Sequence, residues 1–274
     1  MQHGIHFISG LPRSGSTLLA GILRQNPRFH AMMTSPVGAI YLAMQVAVSR
    51  KNEGAVFIDE SQKAALLRGI FYNYYHAISA EKLVFDTNRI WCTKMASLAD
   101  HFPNARVICC VRNISWIMDS VERLIRRNPH ELSGLFGFEA GGTVYTRVNR
   151  LAMNDGLVGY ALDGLREAFF GEHAERLILV EYEALAQQPQ RTLAQLYDFI
   201  GEPPFDHDFE NVEYDAQDFD LAIGAPGLHT VARTVAFTPR ATILPPELFA
   251  RFDGDAFWSN PDVNPKIQVI RRPE

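Results

Sequence analysis

The sequence predicts an α/β fold in three layers, a central parallel sheet of about four to five strands flanked by helices. Three observations lead there. Short apolar runs occur at 5–9, 83–86, 106–111 and 176–180. Segments of helical period separate them, and a glycine-rich turn directly follows the first run. Strands that are apolar on both sides and alternate with helices imply a sheet covered on both faces.

Ile5 to Ser9 is short, apolar and closed by Gly10, as expected of a central strand. Thr17 to Gln25 then carries apolar residues at helical spacing and stops at Asn26-Pro27, a strong breaker. Further helices are expected over Pro36 to Val48, Ser61 to Ile78, Thr93 to His101, Ser115 to Arg127, Thr146 to Phe170 and Arg191 to Ile200. Between two of these, residues 129–142 read PHELSGLFGFEAGG. The glycines and breakers make this a long loop, and a lid over a site is its natural role, so 128–142 is the expected lid. In IFYNYYH, at 70–76, Ile70, Tyr74 and Ala77 share one helical stripe that Phe71 and Tyr75 extend, so packing is expected there. From Gly201 onward Pro, Asp and Gly increase, and 201–274 reads as an irregular wrap on a single domain, 1–274.

Composition excludes several classes. With 47% hydrophobic and 21% charged residues the chain can bury a large core, so it is not a disordered segment. A net charge of -5 argues against broad nucleic-acid binding while leaving room for one basic pocket. No apolar run approaches membrane-spanning length, and the N-terminus reads as a strand rather than a leader, so a cytoplasmic protein is expected. Three cysteines without a C-x-x-C pair suit a reducing compartment, and Cys109 and Cys110 sit in the apolar run VICCV.

Strand, glycine turn and helix form the context a phosphate-binding loop requires. Gly10, Gly15 and Thr17 are in register with G-x-x-x-x-G-K-[ST], but Ser16 stands where the lysine belongs and Arg13 lies in the bend. The glycines aim backbone N–H groups inward and the helix adds its positive end, which makes an anion cradle. An ATP loop needs its lysine and a carboxylate-held magnesium. Here Ile178 to Val180 runs into Glu181-Tyr182 rather than an aspartate, so the loop suits a phosphate-linked donor handled without magnesium. A second cluster follows in ARVICCVRNISWIMDS, where Arg112 ends a strand and Ser120 lies two helical turns on. Ligands of open parallel sheets bind at the carboxyl ends of strands. Arg112 either holds a second phosphate there or pairs with Asp119 or Glu122 on the surface. One nucleotide with phosphates at both ends accounts for Arg13 and Arg112 together.

GLPRSGST at 10–17 resembles the 5′-phosphosulfate loop of the PAPS-dependent sulfotransferases, PAPS being 3′-phosphoadenosine-5′-phosphosulfate. PNARVICCVRNISWIMDS at 103–120 resembles their 3′-phosphate motif, and ILVEYEALAQQPQRTLAQLYDFIGEP at 178–203 their late strand and helix. The likeness spans most of 5–203 and is closest to bacterial members and to tyrosylprotein sulfotransferases. It implies a P-loop-type fold and metal-independent, in-line transfer of a sulfuryl group to a hydroxyl or amine, releasing adenosine 3′,5′-bisphosphate (PAP). In that reading Arg13 neutralises charge at the bridging oxygen, and Ser14, Gly15, Ser16 and Thr17 donate to the 5′-phosphate. Arg112 and Ser120 hold the 3′-phosphate, and Tyr182 lies near the adenine. The acceptor is a small molecule or a peptide, and the protein a monomer or homodimer.

The catalytic base departs from the family. Tyrosylprotein sulfotransferases carry a glutamate after the first helix, whereas 29–41 here contains no carboxylate. Cytosolic members place lysine and histidine at the second strand tip, which here reads FDTNR. Asp86 at that tip is one candidate base, or else it caps the next helix or pairs with Arg89. His229, in PGLHTVAR, is a second candidate, and Arg89 or Lys94 could stand for the lysine. Two other classes stay open: a P-loop kinase or hydrolase using Arg13 for lysine, and a non-catalytic nucleotide-binding protein of the same fold.

Overall fold

Period-two alternation gives each central strand two apolar faces, and the fold covers both. The computed structural model describes residues 3–140 and 142–272. In chain order the regular elements are β1 (Ile5–Gly10), α1 (Ser16–Leu23), β2 (Phe29–Ala31), α2 (Val37–Ala47), α3 (Glu60–Tyr74) and β3 (Leu83–Thr87). There follow α4 (Met95–His101), β4 (Val107–Val111), α5 (Ile114–Arg127), α6 (Val144–Ala152), α7 (Leu157–Phe170) and β5 (Leu177–Glu181). The chain then forms α8 (Tyr182–Gln187), α9 (Pro189–Ile200), α10 (Gln217–Ala222), α11 (Pro246–Phe252) and β6 (Gln268–Ile270). The described strands form one six-stranded sheet in the order β2-β3-β1-β4-β5-β6, parallel throughout.

Phe7, Val107, Cys109, Val111, Leu177 and Leu179 face one core with Tyr41, Phe71, Trp91, Ile117 and Leu165. Their neighbours Ile8, Ile108, Cys110, Ile178 and Val180 face the other, under α1 and α9 through Leu19, Ile22, Leu193 and Leu196. This is the expected three-layer arrangement, with two three-residue strands added at the sheet edges. β2 follows the Asn26-Pro27 break and pairs with β3, while β6 lies within the C-terminal wrap and pairs with β5. Both are too short for an alternating pattern to mark them.

Other differences have local causes. The helix expected over 146–170 is two helices, because Asn154-Asp155-Gly156 interrupts it and Gly156 caps α7. A Cβ on Gly156 would lie 2.1 Å from the Arg150 carbonyl oxygen, so the turn closes against the end of α6. α3 starts at a capping box in which the Asp59 side chain accepts from the Gln62 amide. Within 70–76, Ile70, Phe71 and Tyr75 are buried in the core, but Tyr74, expected on the same stripe, is exposed at the end of α3. The wrap is tied down by α11 against α5, and main-chain bonds Val212 to Arg233 (2.8 Å) and Val235 to Phe209 (2.8 Å) join two of its own segments. All three cysteines are buried free thiols, and Cys92 Sγ lies 3.2 Å from Cys109 Sγ.

Candidate active site

A cavity of about 820 Å³ opens at the carboxyl ends of β1, β3 and β4, within the usual size range of ligand sites. Its floor is the loop 10–17. Gly10 and Gly15 have φ of 101° and 95°, which only glycine adopts readily, and Arg13 itself is left-handed at 57°. Gly10 is pressed against β4, where an added Cβ would lie 2.3 Å from the Cys110 carbonyl oxygen. Gly15 faces Tyr182, whose ring would lie 3.0 Å from an added Cβ. Ser16 and Thr17 open α1 and line the cavity with Gly15. The Ser14 hydroxyl is buried, donates to the Pro12 carbonyl (3.3 Å) and lies outside the cavity wall, which leaves its amide as the group to consider there.

Arginines dominate the wall. Arg13 Nε donates to Ser120 Oγ (3.1 Å), and its terminal nitrogen donates to the Leu228 carbonyl. Arg112 lies over the Tyr182 ring at 4.3 Å and pairs with Glu183 at 3.2 Å. The surface pairing of Arg112 with Asp119 or Glu122 is not formed. Asp119 is buried, pairs with Arg123 and Arg240, and accepts from Thr242 Oγ1 (3.1 Å) and the Ile243 amide (2.7 Å). Glu122 is held by Arg126 and Arg147. Asp119 thereby anchors the wrap to α5 and brings Arg240 to the cavity, a third cation beside Arg13 and Arg112. Burial pushes the Arg13 guanidinium down to about 10, and repulsion from Arg112 and Arg240 adds to it. It remains charged at neutral pH, within a cluster that has more cations than carboxylates facing it.

Arg89 lines the same cavity, solvent-accessible along it, and has no ion-pair partner among the described residues. Desolvation lowers its pKa. Lys94 does not line the cavity. Asp86 is a correction to the sequence expectation. Its position on β3 sends it to the core face, where it is fully buried and outside the cavity wall. Ser35 Oγ (2.6 Å), Tyr75 OH (2.6 Å) and Trp91 Nε1 (2.8 Å) all donate to it, and it neither pairs with Arg89 nor reaches the cavity. It is a structural carboxylate, not a base.

His229 does reach the cavity. Asp220, buried in α10, accepts from the His229 amide (2.8 Å) and lies 2.5 Å from its Nδ1. A carboxylate at Nδ1 fixes the proton there and leaves Nε2 as the basic nitrogen. Desolvation lowers the His229 pKa, opposed by Asp220 and reinforced by Arg13 and Arg89, so the ring is neutral at pH 7. Asp220 and Arg240 both lie in the wrap and in no motif. The carboxylate nine residues before His229 was the available signal.

The expected lid also reaches the site. Gly134 to Phe138 line the cavity through a short 3-10 turn, and the Gly134 amide donates to the Ile223 carbonyl (2.8 Å). Gly141, within the expected lid, lies outside the described residues.

A family model described as the sulfotransferase family matches residues 6–207. No curated protein matches the sequence significantly. Among solved structures, the sulfotransferase domain of the Synechococcus PCC 7002 olefin synthase is similar over 94% of this chain and 95% of its own, at 19% identity and TM-score 0.51. The sulfotransferase domain from the curacin biosynthetic pathway matches over 77% and 78%, at 19% identity and TM-score 0.52. A sulfotransferase from Alicyclobacillus acidocaldarius matches over 76% and 85%, at 14% identity and TM-score 0.51. These likenesses are of fold, and none extends to a particular tyrosylprotein-type activity.

Proposed function

The chain belongs to the sulfotransferase family, and from that premise we propose that it transfers the sulfuryl group of PAPS to an acceptor hydroxyl and releases PAP. The observation that carries the reading is the convergence of Arg13, Arg89, Arg112 and His229 on one cavity. A cluster of mutually repelling guanidinium groups over a glycine cradle fits a polyanion. The amides of residues 14–17 and the positive end of α1 receive the 5′-phosphate. Arg112, Arg240 and Ser120 receive the 3′-phosphate, with the Tyr182 ring against the adenine.

His229 Nε2 takes the proton of the acceptor hydroxyl as oxygen attacks sulfur, and Asp220 stabilises the resulting imidazolium. Arg13 and Arg89 offset the charge that develops on the sulfuryl and bridging oxygens. These cations take the place of the lysine and magnesium of a kinase loop, so transfer proceeds without a metal. The donor-binding core, the lid 128–142 and the wrap 201–274 act as one domain, a reading supported by the 94% coverage in the olefin synthase match. The absence of a span-length apolar helix among the described residues is compatible with a cytoplasmic enzyme.

The test compares ligands and then turnover. Calorimetry is expected to give tight binding of PAP without magnesium and weak binding of ATP with it. The reverse order would favour a P-loop kinase. Transfer of labelled sulfate from PAPS to a broad acceptor panel separates an enzyme from a protein that only binds the nucleotide.

A further inference from the structure

From Phe29 to Ser49 the chain carries no Asp, Glu, Lys or Arg, and this run includes all of α2. One side of α2 belongs to the core, where Val37 and Tyr41 are buried. The other side is exposed and consists of Ala39, Ile40, Leu42, Ala43, Val46 and Ala47. A surface helix ordinarily turns charged or polar residues to water, and one that is apolar all round is normally covered on every side. In the single chain this face of α2 is open.

The apolar surface continues past the helix. A groove of about 560 Å³ lies between α2 and α3, with Met44, Leu66, Gly69 and Ile70 in its wall. None of the described residues that line it is charged, and the Gln62 side chain in it is already engaged, accepting from the Asp59 amide (2.9 Å). An added Cβ on Gly69 would meet nothing nearer than Asn73 Nδ2, at 3.9 Å, so the groove has room for a side chain there. On its rim stands Phe57, 85% exposed at the end of a 3-10 turn, Glu53–Phe57, and beside it Val56 is 79% exposed.

A protruding aromatic side chain and an apolar groove on one patch suit a two-fold pairing, in which each copy offers its knob to the groove of the other. Size agrees. The exposed side chains of α2, with Val56, Phe57 and Leu66, present roughly 600 Å², the upper end for the largest apolar patch of a monomer and most of the roughly 800 Å² that each partner buries in a stable interface. Charge agrees as well. α2 presents none, so two copies meet there without like-charge repulsion, and the basic residues that follow it, Arg50 and Lys51, are offset by Glu53 and Asp59. A lipid surface calls for a basic face beside the apolar one, and a charged partner for a field that this balance does not supply. The patch also adjoins the cavity. Ser35 Oγ accepts from the Val37 amide (3.1 Å) at the start of α2 and donates to Asp86 (2.6 Å), directly after Met33 and Thr34 of the cavity wall. A partner seated on α2 therefore steadies that edge of the site.

We infer that this face is the contact between two copies of the chain, paired about a two-fold axis with Phe57 of each in the α2–α3 groove of the other. The inference is independent of the sulfotransferase reading, and its test uses neither donor nor acceptor. Sedimentation equilibrium from about 0.1 to 100 µM is expected to show a species of twice the 30.8 kDa of one chain that dissociates on dilution. Phe57→Asp and Val46→Asp should each raise the dissociation constant about thirtyfold or more. Phe170→Asp, at an exposed aromatic outside the patch, should leave it unchanged. Gly69→Leu is the sharper variant. It adds apolar surface but fills the groove, so it should weaken the pair about tenfold, whereas unspecific stickiness would make association tighter. An unchanged far-ultraviolet circular dichroism spectrum reports an intact fold in each variant. A wild-type chain that stays monomeric at the highest concentration overturns the inference. So does a dimer that Phe57→Asp and Val46→Asp leave intact, or one that Gly69→Leu tightens. Cosedimentation of a monomeric chain with vesicles of phosphatidylcholine and phosphatidylserine likewise overturns it and assigns the face to a lipid surface.

Discussion

The two sides of the cavity are built by different means. The side proposed for the nucleotide uses the ends of regular elements: the β1–α1 turn, the β4 tip with Arg112, α5 with Ser120 and the β5–α8 junction with Tyr182. The rest of the wall comes from 134–138, the α6–α7 break and the wrap. Strand ends inherit their positions from a fully buried sheet, and a charged group there is held to one geometry. Loop residues depend on pairwise ties such as Gly134 to Ile223 and Asp220 to His229. A common donor needs the first kind of site. A particular acceptor needs the second, which can vary without disturbing the core.

If the base belongs to the loop-built side, its loss should be the largest single effect. His229→Ala is expected to lower kcat about 10²- to 10⁴-fold with little change in PAP affinity. A full-rate variant would move the base elsewhere. The pH profile adds a finer test. Because the His229 pKa lies below 6.5, the acid limb of kcat/KM should lie below pH 6.5. Asp220 raises that pKa, so Asp220→Asn should move the limb to lower pH as well as reduce kcat, whereas a purely structural defect would leave the limb in place.

Arg13 stands at the border of the two sides, bonded to Ser120 on one and to the carbonyl of Leu228, beside His229, on the other. Arg13→Ala is expected to lower kcat about 10²- to 10³-fold, as loss of a group stabilising transition-state charge does. Its effect on PAP affinity should be smaller, and the opposite ranking would make Arg13 a binding group alone. Arg112→Ala tests the nucleotide side by itself. It should weaken PAP about tenfold to a hundredfold, the range for a charge-assisted bond, while leaving adenosine 5′-phosphate affinity unchanged. Equal losses for both ligands would remove the 3′-phosphate assignment.

The same division decides what the sequence discloses. The loop 10–17, Arg112, Ser120 and the alternating strands were legible because each lies in a pattern fixed by local geometry. Asp86 was misread for the same reason. Its place at a strand end was right, but the face it takes depends on one residue of register, and Phe7 opposite it points into the core. The pairing of His229 with Asp220 and the arrival of Arg240 depend on how the wrap lies against α5, which no short pattern encodes. Arg112 shows the converse: two carboxylates close to it in sequence are engaged elsewhere, and its partner is Glu183, 71 positions away.

The smallest expected effect concerns how the two sides respond to acid. His6, at the base of the sheet, and His207, in the wrap, are both lowered to about 4, His6 by burial and Arg106 and His207 by burial. His6 Nδ1 accepts from the Arg106 amide (3.0 Å), while His207 Nε2 meets the Tyr197 hydroxyl (3.0 Å), which also accepts from Asn26 (2.9 Å). Both rings are neutral in the fold, and the unfolded chain takes up their protons first. Stability is therefore fully present above pH 6.5 and is lost progressively as pH falls from 6.5 toward 4. At pH 5.5 the loss is about 1 kcal/mol for each histidine. Thermal unfolding followed from pH 7.5 to 5 should show that slope, and His207→Gln should remove the share of the wrap while the share of His6 persists. A slope unchanged by His207→Gln would mean that acid acts on the sheet alone, and that the wrap carrying His229 is no more acid-sensitive than the sheet.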